Sequence, residues 1–247
     1  MSPVVSLTLR ALRACGAGPL ADYASALRAA CAAAPPPFGT ASYGRRFRAL
    51  AVDPGWVAAS LIENAAAEGE GSRKIWSLAA RTRDPEIADA VRRHAVDESR
   101  HALIYLALLD AAFPGAVAAR VRRRLDRLSP GFRDRDRPPV RRPLPARRVL
   151  DELIQMNVGE IRTRLNQLLL TPVITTVCPP TSRPRVRRMM ASLLADETRH
   201  IAYTAHLIER AMLDDDGAFV RRTMRRRLAQ FNRITLAQIG RPTHALA

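Results

Sequence analysis

Apolar residues, mainly alanine and leucine, alternate with arginine along most of the chain, and few helix breakers interrupt them. These residue types favour helices over strands, so the pattern predicts an all-α protein. We expect one or two short helices in residues 1–34, a short arginine-rich helix over 116–128 and a basic helix over 218–239. Four longer helices are predicted over 56–81, 84–113, 146–170 and 185–213.

Proline and glycine mark the boundaries of these helices. Asp53-Pro54 and Asp84-Pro85 each place an acidic N-cap before a proline at the first helical position, which is a helix start signal. Gly69 and Gly71 leave a kink open inside the first long helix. Three proline-rich stretches predict loops or extended chain: APPPFGTASYG at 34–44, SPGFRDRDRPPVRRPLP at 129–145 and TPVITTVCPPTSRP at 171–184.

The net charge of +17 is only partial evidence for an acidic binding partner. Lys74 is the one lysine, so the excess is nearly all arginine, and a compositional bias and a functional basic face both stay open. A basic face would serve an acidic protein or a nucleic acid only if the runs RVRRR (120–124) and RRTMRRR (221–227) cluster.

Apolar runs and cysteines indicate the compartment. No run of about 20 uncharged apolar residues occurs, so no membrane span is expected. The first residues carry arginines inside their apolar stretch and make a poor secretory signal. Three cysteines without a pattern suggest reduced thiols. We therefore predict a cytoplasmic protein.

The pentapeptide Asp-Glu-x-Arg-His occurs twice, at 97–101 and at 196–200, each time inside a predicted long helix. Residues three apart share a helix face, so Glu98 points with His101, and Glu197 points with His200. A carboxylate and an imidazole at this spacing can bind one metal ion. The alternative is that both pairs lie on exposed polar faces.

Further carboxylates lie on the preceding helices. Glu63 is 35 residues before Glu98, and Glu160 is 37 before Glu197, which suits two helical hairpins. Both have apolar or small neighbours, where an unpaired carboxylate costs several kcal/mol. Glu68 resembles a surface acid. We predict a single domain over 1–247, with a helical extension at 1–50, a bundle at 53–213 and a C-terminal basic helix at 214–247.

One glutamate from each of two helices and Glu-x-x-His from each of two others resemble the ferritin-like di-iron carboxylate proteins. Asp-Glu-x-Arg-His is similar to the motif of bacterial multicomponent monooxygenases and of p-aminobenzoate N-oxygenase-like enzymes. The resemblance implies a ferritin-like four-helix bundle with a di-metal site and short flanking helices. It implies two iron ions, manganese being the alternative, with these ligands: Glu63, Glu98, His101, Glu160, Glu197 and His200.

The same resemblance implies an O₂-activating monooxygenase that hydroxylates C–H or oxygenates an amine of a small molecule in specialised metabolism. Its electrons would come from a separate reductase or ferredoxin, because the chain has no flavin or iron–sulfur motif. A carrier-protein-linked desaturase or hydroxylase, a tRNA hydroxylase, a ferroxidase or iron-storage protein and a manganese catalase stay open. No catalytic residue beyond the metal ligands is predicted.

Other residues near the motifs have expected roles. Asp97 and Asp196 would hydrogen-bond the histidine of the opposite motif, and Arg100 and Arg199 would balance the acids. His94 and Glu70 share faces with predicted ligands. His94 could be an extra ligand, a histidine that supports a ligand, or an exposed residue. Glu70 could be an extra ligand, a substrate contact or a solvated residue at a kink. We expect Tyr105 and Tyr203 to pack in the core, and a radical role is the alternative for both. The residues predicted to line a substrate pocket are Ala59, Ala66, Ala67, Thr163 and Arg164.

Overall fold

The computed structural model describes residues 2–239, which are predominantly helical and contain no strand. The helices are α1 (Pro3–Ala14), α2 (Ala21–Ala33), α3 (Ala41–Leu50), α4 (Pro54–Ala79), α5 (Pro85–Ala112), α6 (Ala119–Leu125), α7 (Ala146–Val177), α8 (Arg183–Ala211) and α9 (Gly217–Ile239). The all-α prediction is confirmed, and none of the described helices is long and apolar enough to cross a membrane.

Both aspartate–proline signals begin helices as predicted. The Asp53 carboxylate accepts a hydrogen bond from the Gly55 backbone N–H at 2.8 Å and caps α4. The Asp84 carboxylate accepts from the N–H groups of Glu86 and Ile87 at 2.9 and 3.0 Å and caps α5. These bonds satisfy amides that have no partner within the helix, and such a cap contributes about 1 kcal/mol.

Two predictions about irregular stretches were wrong. Helix α3 begins inside the stretch predicted as a loop at 34–44. Helix α7 continues through Pro172 to Val177, where loop or extended chain was predicted. Proline removes one helical hydrogen bond, but Ile174 is completely buried one half-turn later. Its burial, worth about 1.5–3 kcal/mol, helps to offset that loss.

The described residues form two compact units. Unit 1 comprises 2–49, 147–170 and 194–239, and unit 2 comprises 50–146 and 171–193. Unit 1 contains a large apolar core from α1, α2, α7, α8 and α9, in which Tyr23, Leu27 and Ile154 are among the most buried side chains. The single domain over 1–247 stays a prediction.

Unit 2 contains the α4–α5 hairpin. The hydroxyl of Ser72 on α4 donates to the carbonyl of Ala95 on α5 at 2.7 Å, and both residues are completely buried. Helix α4 is continuous from Pro54 to Ala79 through Gly69 and Gly71. The two long helices of the hairpin therefore pack closely through their buried faces.

Candidate metal centre

Helix α5 brings three metal-binding side chains of unit 2 together. His94, Glu98 and His101 are four and three residues apart, so they lie on one helix face. The Glu98 Oε1 atom is 3.3 Å from His94 Nε2 and 3.3 Å from His101 Nδ1. All three side chains are buried, and His101 has no exposed surface. The prediction left His94 open as an extra ligand, a supporting histidine or an exposed residue, and the structure buries it against Glu98.

Glu68 of α4, and not Glu63, lies near this group. The carboxylate of Glu68 and the ligand atoms of Glu98 and His101 all lie within 4.8 Å of one another. Glu63 is exposed, so the structure places this predicted ligand outside the group. The physical reason is helical periodicity: Leu61, Ala65 and Ser72 are completely buried along one stripe of α4, and Glu68 falls within it.

The ionisation of Glu98 fits a cation-binding site. Burial alone would raise its pKa, because a buried carboxylate loses the solvation of its charged form. Hydrogen bonds with Glu68, His101 and His94 outweigh burial, and the pKa of Glu98 lies well below its ordinary range. The hairpin therefore stabilises a buried negative charge.

Helices α7 and α8 bring a second set together in unit 1. Glu160, Glu197 and His200 are buried, and Glu197 has no exposed surface. Ligand atoms of Glu160 and His200 lie within 4.8 Å of each other. The Glu197 Oε2 atom is 3.7 Å from His200 Nδ1. The second Glu-x-x-His pair thus has the buried carboxylate of Glu160 near its histidine, and the apolar neighbours of Glu160 in the sequence indicated this burial.

Gln167 of α7 completes this second set and was missed by the sequence analysis. Its Nε2 donates to Glu197 Oε1 at 2.8 Å, and both side chains are buried. A donor to one carboxylate oxygen fixes the plane of the carboxylate and aims the other oxygen. The available signal was spacing, because Gln167 follows Glu160 by seven residues and so lies on the same face of α7.

A buried polar network fixes the turn of α8 that carries His200. Asn157 on α7 donates through Nδ2 to the Ile201 carbonyl at 3.2 Å and to Thr204 Oγ1 at 2.9 Å. The Tyr23 hydroxyl donates to Asn157 Oδ1 at 3.0 Å, and burial raises the pKa of Tyr23. Thr204 in turn donates to the His200 carbonyl at 2.6 Å. These bonds hold the backbone at His200 and in the turn that follows it.

The aspartate and arginine of each motif pair along their own helix. Arg100 Nη2 lies 2.8 Å from Asp97 Oδ1, and Arg199 Nη2 lies 2.5 Å from Asp196 Oδ1. Arg100 and Arg199 are exposed, so each pairs with the aspartate of its own motif from the solvent side. The hydrogen bonds predicted from Asp97 and Asp196 to the opposite histidines stay predictions.

The other residues predicted for the site are not among the two sets of buried ligands. Glu70 is exposed and forms an ion pair with Lys74 at 2.6 Å, which lowers its pKa, so it does not join the group around Glu98. Arg164 Nε donates to Thr198 Oγ1 at 2.9 Å. Of the other residues predicted to line a pocket, Ala67 is exposed. The rest are partly buried: Ala59, Ala66 and Thr163. Tyr105 is buried in unit 2, as core packing predicts, and Tyr203 is half-buried.

The two sets have the chemistry of a transition-metal site. Each unit contains a buried imidazole among carboxylates, a donor set that suits iron, manganese or zinc and lacks the thiolates of an electron-transfer centre. Carboxylates this deeply buried cost several kcal/mol each unless a cation or hydrogen bonds compensate. The side chains therefore fit a bound metal ion.

Comparisons of the chain with models of protein families, with curated proteins and with solved structures find no match.

Proposed function

We propose that the two ligand sets bind two iron ions and that the protein is an O₂-activating oxygenase for a small organic substrate. The observation that supports it is the doubled motif with buried members: Glu98 and His101 in unit 2, and Glu197 and His200 in unit 1. Manganese satisfies the same donors.

Charge balance supports two ions over one. Glu68, Glu98, Glu160 and Glu197 provide four carboxylates, which two divalent ions neutralise. With a single ion, two of these acids would keep an uncompensated charge at low exposure. The proposed ligand set thus takes Glu68 in place of Glu63.

The protein side chains have separate tasks in this proposal. The glutamates and histidines bind the metals, and Gln167 orients Glu197 through its 2.8 Å hydrogen bond. Arg164 is held by Thr198, one residue after Glu197, and its guanidinium contributes positive charge nearby. The bound iron would supply O₂ activation, and the electrons would come from another protein.

A metal titration tests the proposal. Protein freed of metal is titrated anaerobically with Fe(II), and metal per chain is then measured after gel filtration. We expect a plateau at two ions per chain. The doubly substituted variant Glu98→Gln, Glu197→Gln should lose this binding, whereas the matched control Glu63→Gln, Glu86→Gln changes two exposed carboxylates and should keep it. A plateau at one ion, or binding retained by the first variant, contradicts the di-metal site.

O₂ consumption separates the candidate activities. The iron-loaded protein is mixed with O₂, an excess chemical reductant and a panel of amines and hydrocarbons, and products are identified by mass spectrometry. An oxygenase incorporates label from ¹⁸O₂ into a product. Oxidation of a large excess of Fe(II) to a mineral without labelled product would instead indicate a ferroxidase, and labelled product only from a carrier-bound acyl chain or from tRNA would assign those substrates.

A further inference from the structure

Unit 2 carries a dense positive charge on one stretch of chain. The arginine-rich segment, defined as residues 119–145, contains ten arginines and three aspartates, a net charge of +7 out of the chain's +17. It consists of α6, the 3₁₀ turn Asp126–Leu128 and an irregular stretch that ends at α7. The excess charge is therefore concentrated, and a general arginine bias of the composition does not explain its position.

The arginine-rich segment is fixed in place although most of it is irregular. The ring of Phe132 stacks on Trp76 of α4 with a centroid distance of 4.1 Å. The backbone N–H of Arg141 donates to the Ala80 carbonyl at 3.1 Å, and that of Leu144 donates to the Arg81 carbonyl at 2.8 Å. A segment held in this way presents its charges in a defined arrangement and loses little conformational entropy on binding.

The same segment contacts α4 and α5, the two ligand-bearing helices of unit 2, beside their ligands. The Leu128 carbonyl lies so close to Gly69 that a Cβ atom there would be 2.0 Å from its oxygen. The Ser129 hydroxyl donates to the Ser99 carbonyl at 2.7 Å, and the Phe132 N–H donates to the Ser99 hydroxyl at 3.0 Å. Gly69 directly follows Glu68, and Ser99 directly follows Glu98. The arginine-rich segment is therefore joined to Glu98 by one hydrogen bond and the few covalent bonds between Ser99 and Glu98.

Several arginines of the segment are available to a partner. In the described part of the chain, Arg122 pairs with Asp110 and Asp126, whereas several exposed arginines of the segment form no ion pair, among them Arg123, Arg124, Arg135, Arg141 and Arg142. Val140 is fully exposed and Val121 is 42% exposed beside them. Arginines around exposed apolar side chains are typical of a protein interface.

Nucleic acid fits this surface less well than an acidic protein does. Single strands need aromatic faces for base stacking, and the one aromatic residue of the segment, Phe132, already stacks on Trp76. Carboxylates can pair with the arginines and leave the valines for an apolar contact.

We infer that the arginine-rich segment is the docking surface for an acidic electron-donor protein that serves the metal centre. The inference rests on the proposed function, to which it adds the partner's chemistry and its site. Each reduced iron–sulfur donor would lose one electron on docking, and two such transfers would take a pair of metal ions from the trivalent to the divalent state. The connection through Ser129 and Ser99 provides a short route to Glu98.

The test uses an acidic [2Fe–2S] ferredoxin as the probe and the iron-loaded full chain. The test variant replaces Arg123, Arg124, Arg135, Arg141 and Arg142 with glutamine. A matched control variant makes the same change in charge at exposed arginines of unit 1: Arg10, Arg13, Arg28, Arg222 and Arg225. Binding is measured at increasing ionic strength, and reduction of the metal centre is followed with reduced ferredoxin and separately with dithionite.

We expect the test variant to bind ferredoxin about 10- to 100-fold more weakly at low salt, with a matching loss of reduction rate by ferredoxin. Reduction by dithionite should be unchanged, because a small reductant needs no docking surface. Equal losses in the two variants, no salt-dependent binding of ferredoxin by the native chain, or tighter binding of RNA or duplex DNA than of ferredoxin would overturn the inference. Absence of iron binding and of dithionite-driven O₂ uptake would instead refute the proposed function.

Discussion

The close approach of Leu128 to Gly69 makes Gly69→Ala an unusually sharp perturbation. A Cβ atom at this position would lie 2.0 Å from the Leu128 carbonyl oxygen and 2.8 Å from its carbonyl carbon. Ordinary carbon–oxygen contacts are about 3.3–3.6 Å, so the backbone must retreat by more than about 1 Å. Backbone cannot rotate away as a flexible side chain would, and the contacts of the neighbouring Ser129 and Phe132 must shift with it.

The expected cost can be worked from those contacts. Two hydrogen bonds between Ser129, Phe132 and Ser99, at about 1 kcal/mol each, and one aromatic stack worth about 1 kcal/mol would be weakened or lost. Replacing a helical glycine with alanine returns about 1 kcal/mol through helix propensity. We therefore expect Gly69→Ala to lower the free energy of unfolding by about 2 kcal/mol.

Gly71→Ala is the matched control, because it lies two residues later in α4 and its added Cβ would meet nothing within 4 Å. It should raise the free energy of unfolding by about 1 kcal/mol. Urea denaturation followed by circular dichroism measures both variants, and limited trypsin digestion reports whether 119–145 is released. Equal stabilisation by the two substitutions, with equal resistance to trypsin, would refute the argument.

Three further predictions concern the ligand sets and the charge network. Gln167→Ala should weaken Fe(II) binding by about 10- to 100-fold in an anaerobic titration, whereas Asn166→Ala, its neighbour on α7, should change it little. Glu68→Gln should reduce the metal bound per chain, and Glu63→Gln should not; the opposite pattern would restore Glu63 as the ligand. Burial raises the pKa of Asp151, but hydrogen bonds from Arg227 and Arg226 of α9 lower this pKa by more than burial raises it. The pKa of Asp151 in the folded protein is therefore below its ordinary value. Its stabilising contribution is therefore complete above the unfolded pKa of about 3.9 and is lost as pH falls through the folded pKa. Urea midpoints at decreasing pH should fall less steeply for Asp151→Asn than for the native chain, and parallel curves would contradict this assignment.

The helices could be predicted wherever local chemistry decides them. Asp53 and Asp84 bond the first amides of α4 and α5, and that interaction depends only on neighbouring residues. Pro172 misled the prediction because its local preference opposes a helix, whereas the burial of Ile174 depends on residues far away in the sequence. The stabilisation that comes from burying Ile174 could therefore not be predicted from the residues around Pro172.

The choice between Glu63 and Glu68 shows what a local reading of the site leaves out. Apolar neighbours favoured Glu63, but the neighbours along a chain lie on different faces of a helix. Two residues after the buried Leu61, Glu63 is turned about 200° around α4 and points outward. The 3.6-residue stripe through Leu61, Ala65 and Ser72 carries the better signal, and it passes through Glu68.

The two copies of the motif share their own residues and differ in what surrounds them. Beside Glu98, α5 provides a second buried histidine, His94, four residues earlier. Beside Glu197, α7 provides the neutral amide of Gln167. An imidazole can bind a cation directly, whereas an amide donating through its nitrogen orients a carboxylate without changing its charge. The repeated pentapeptide therefore defines where metal can bind, and these neighbours would make the two positions chemically unequal.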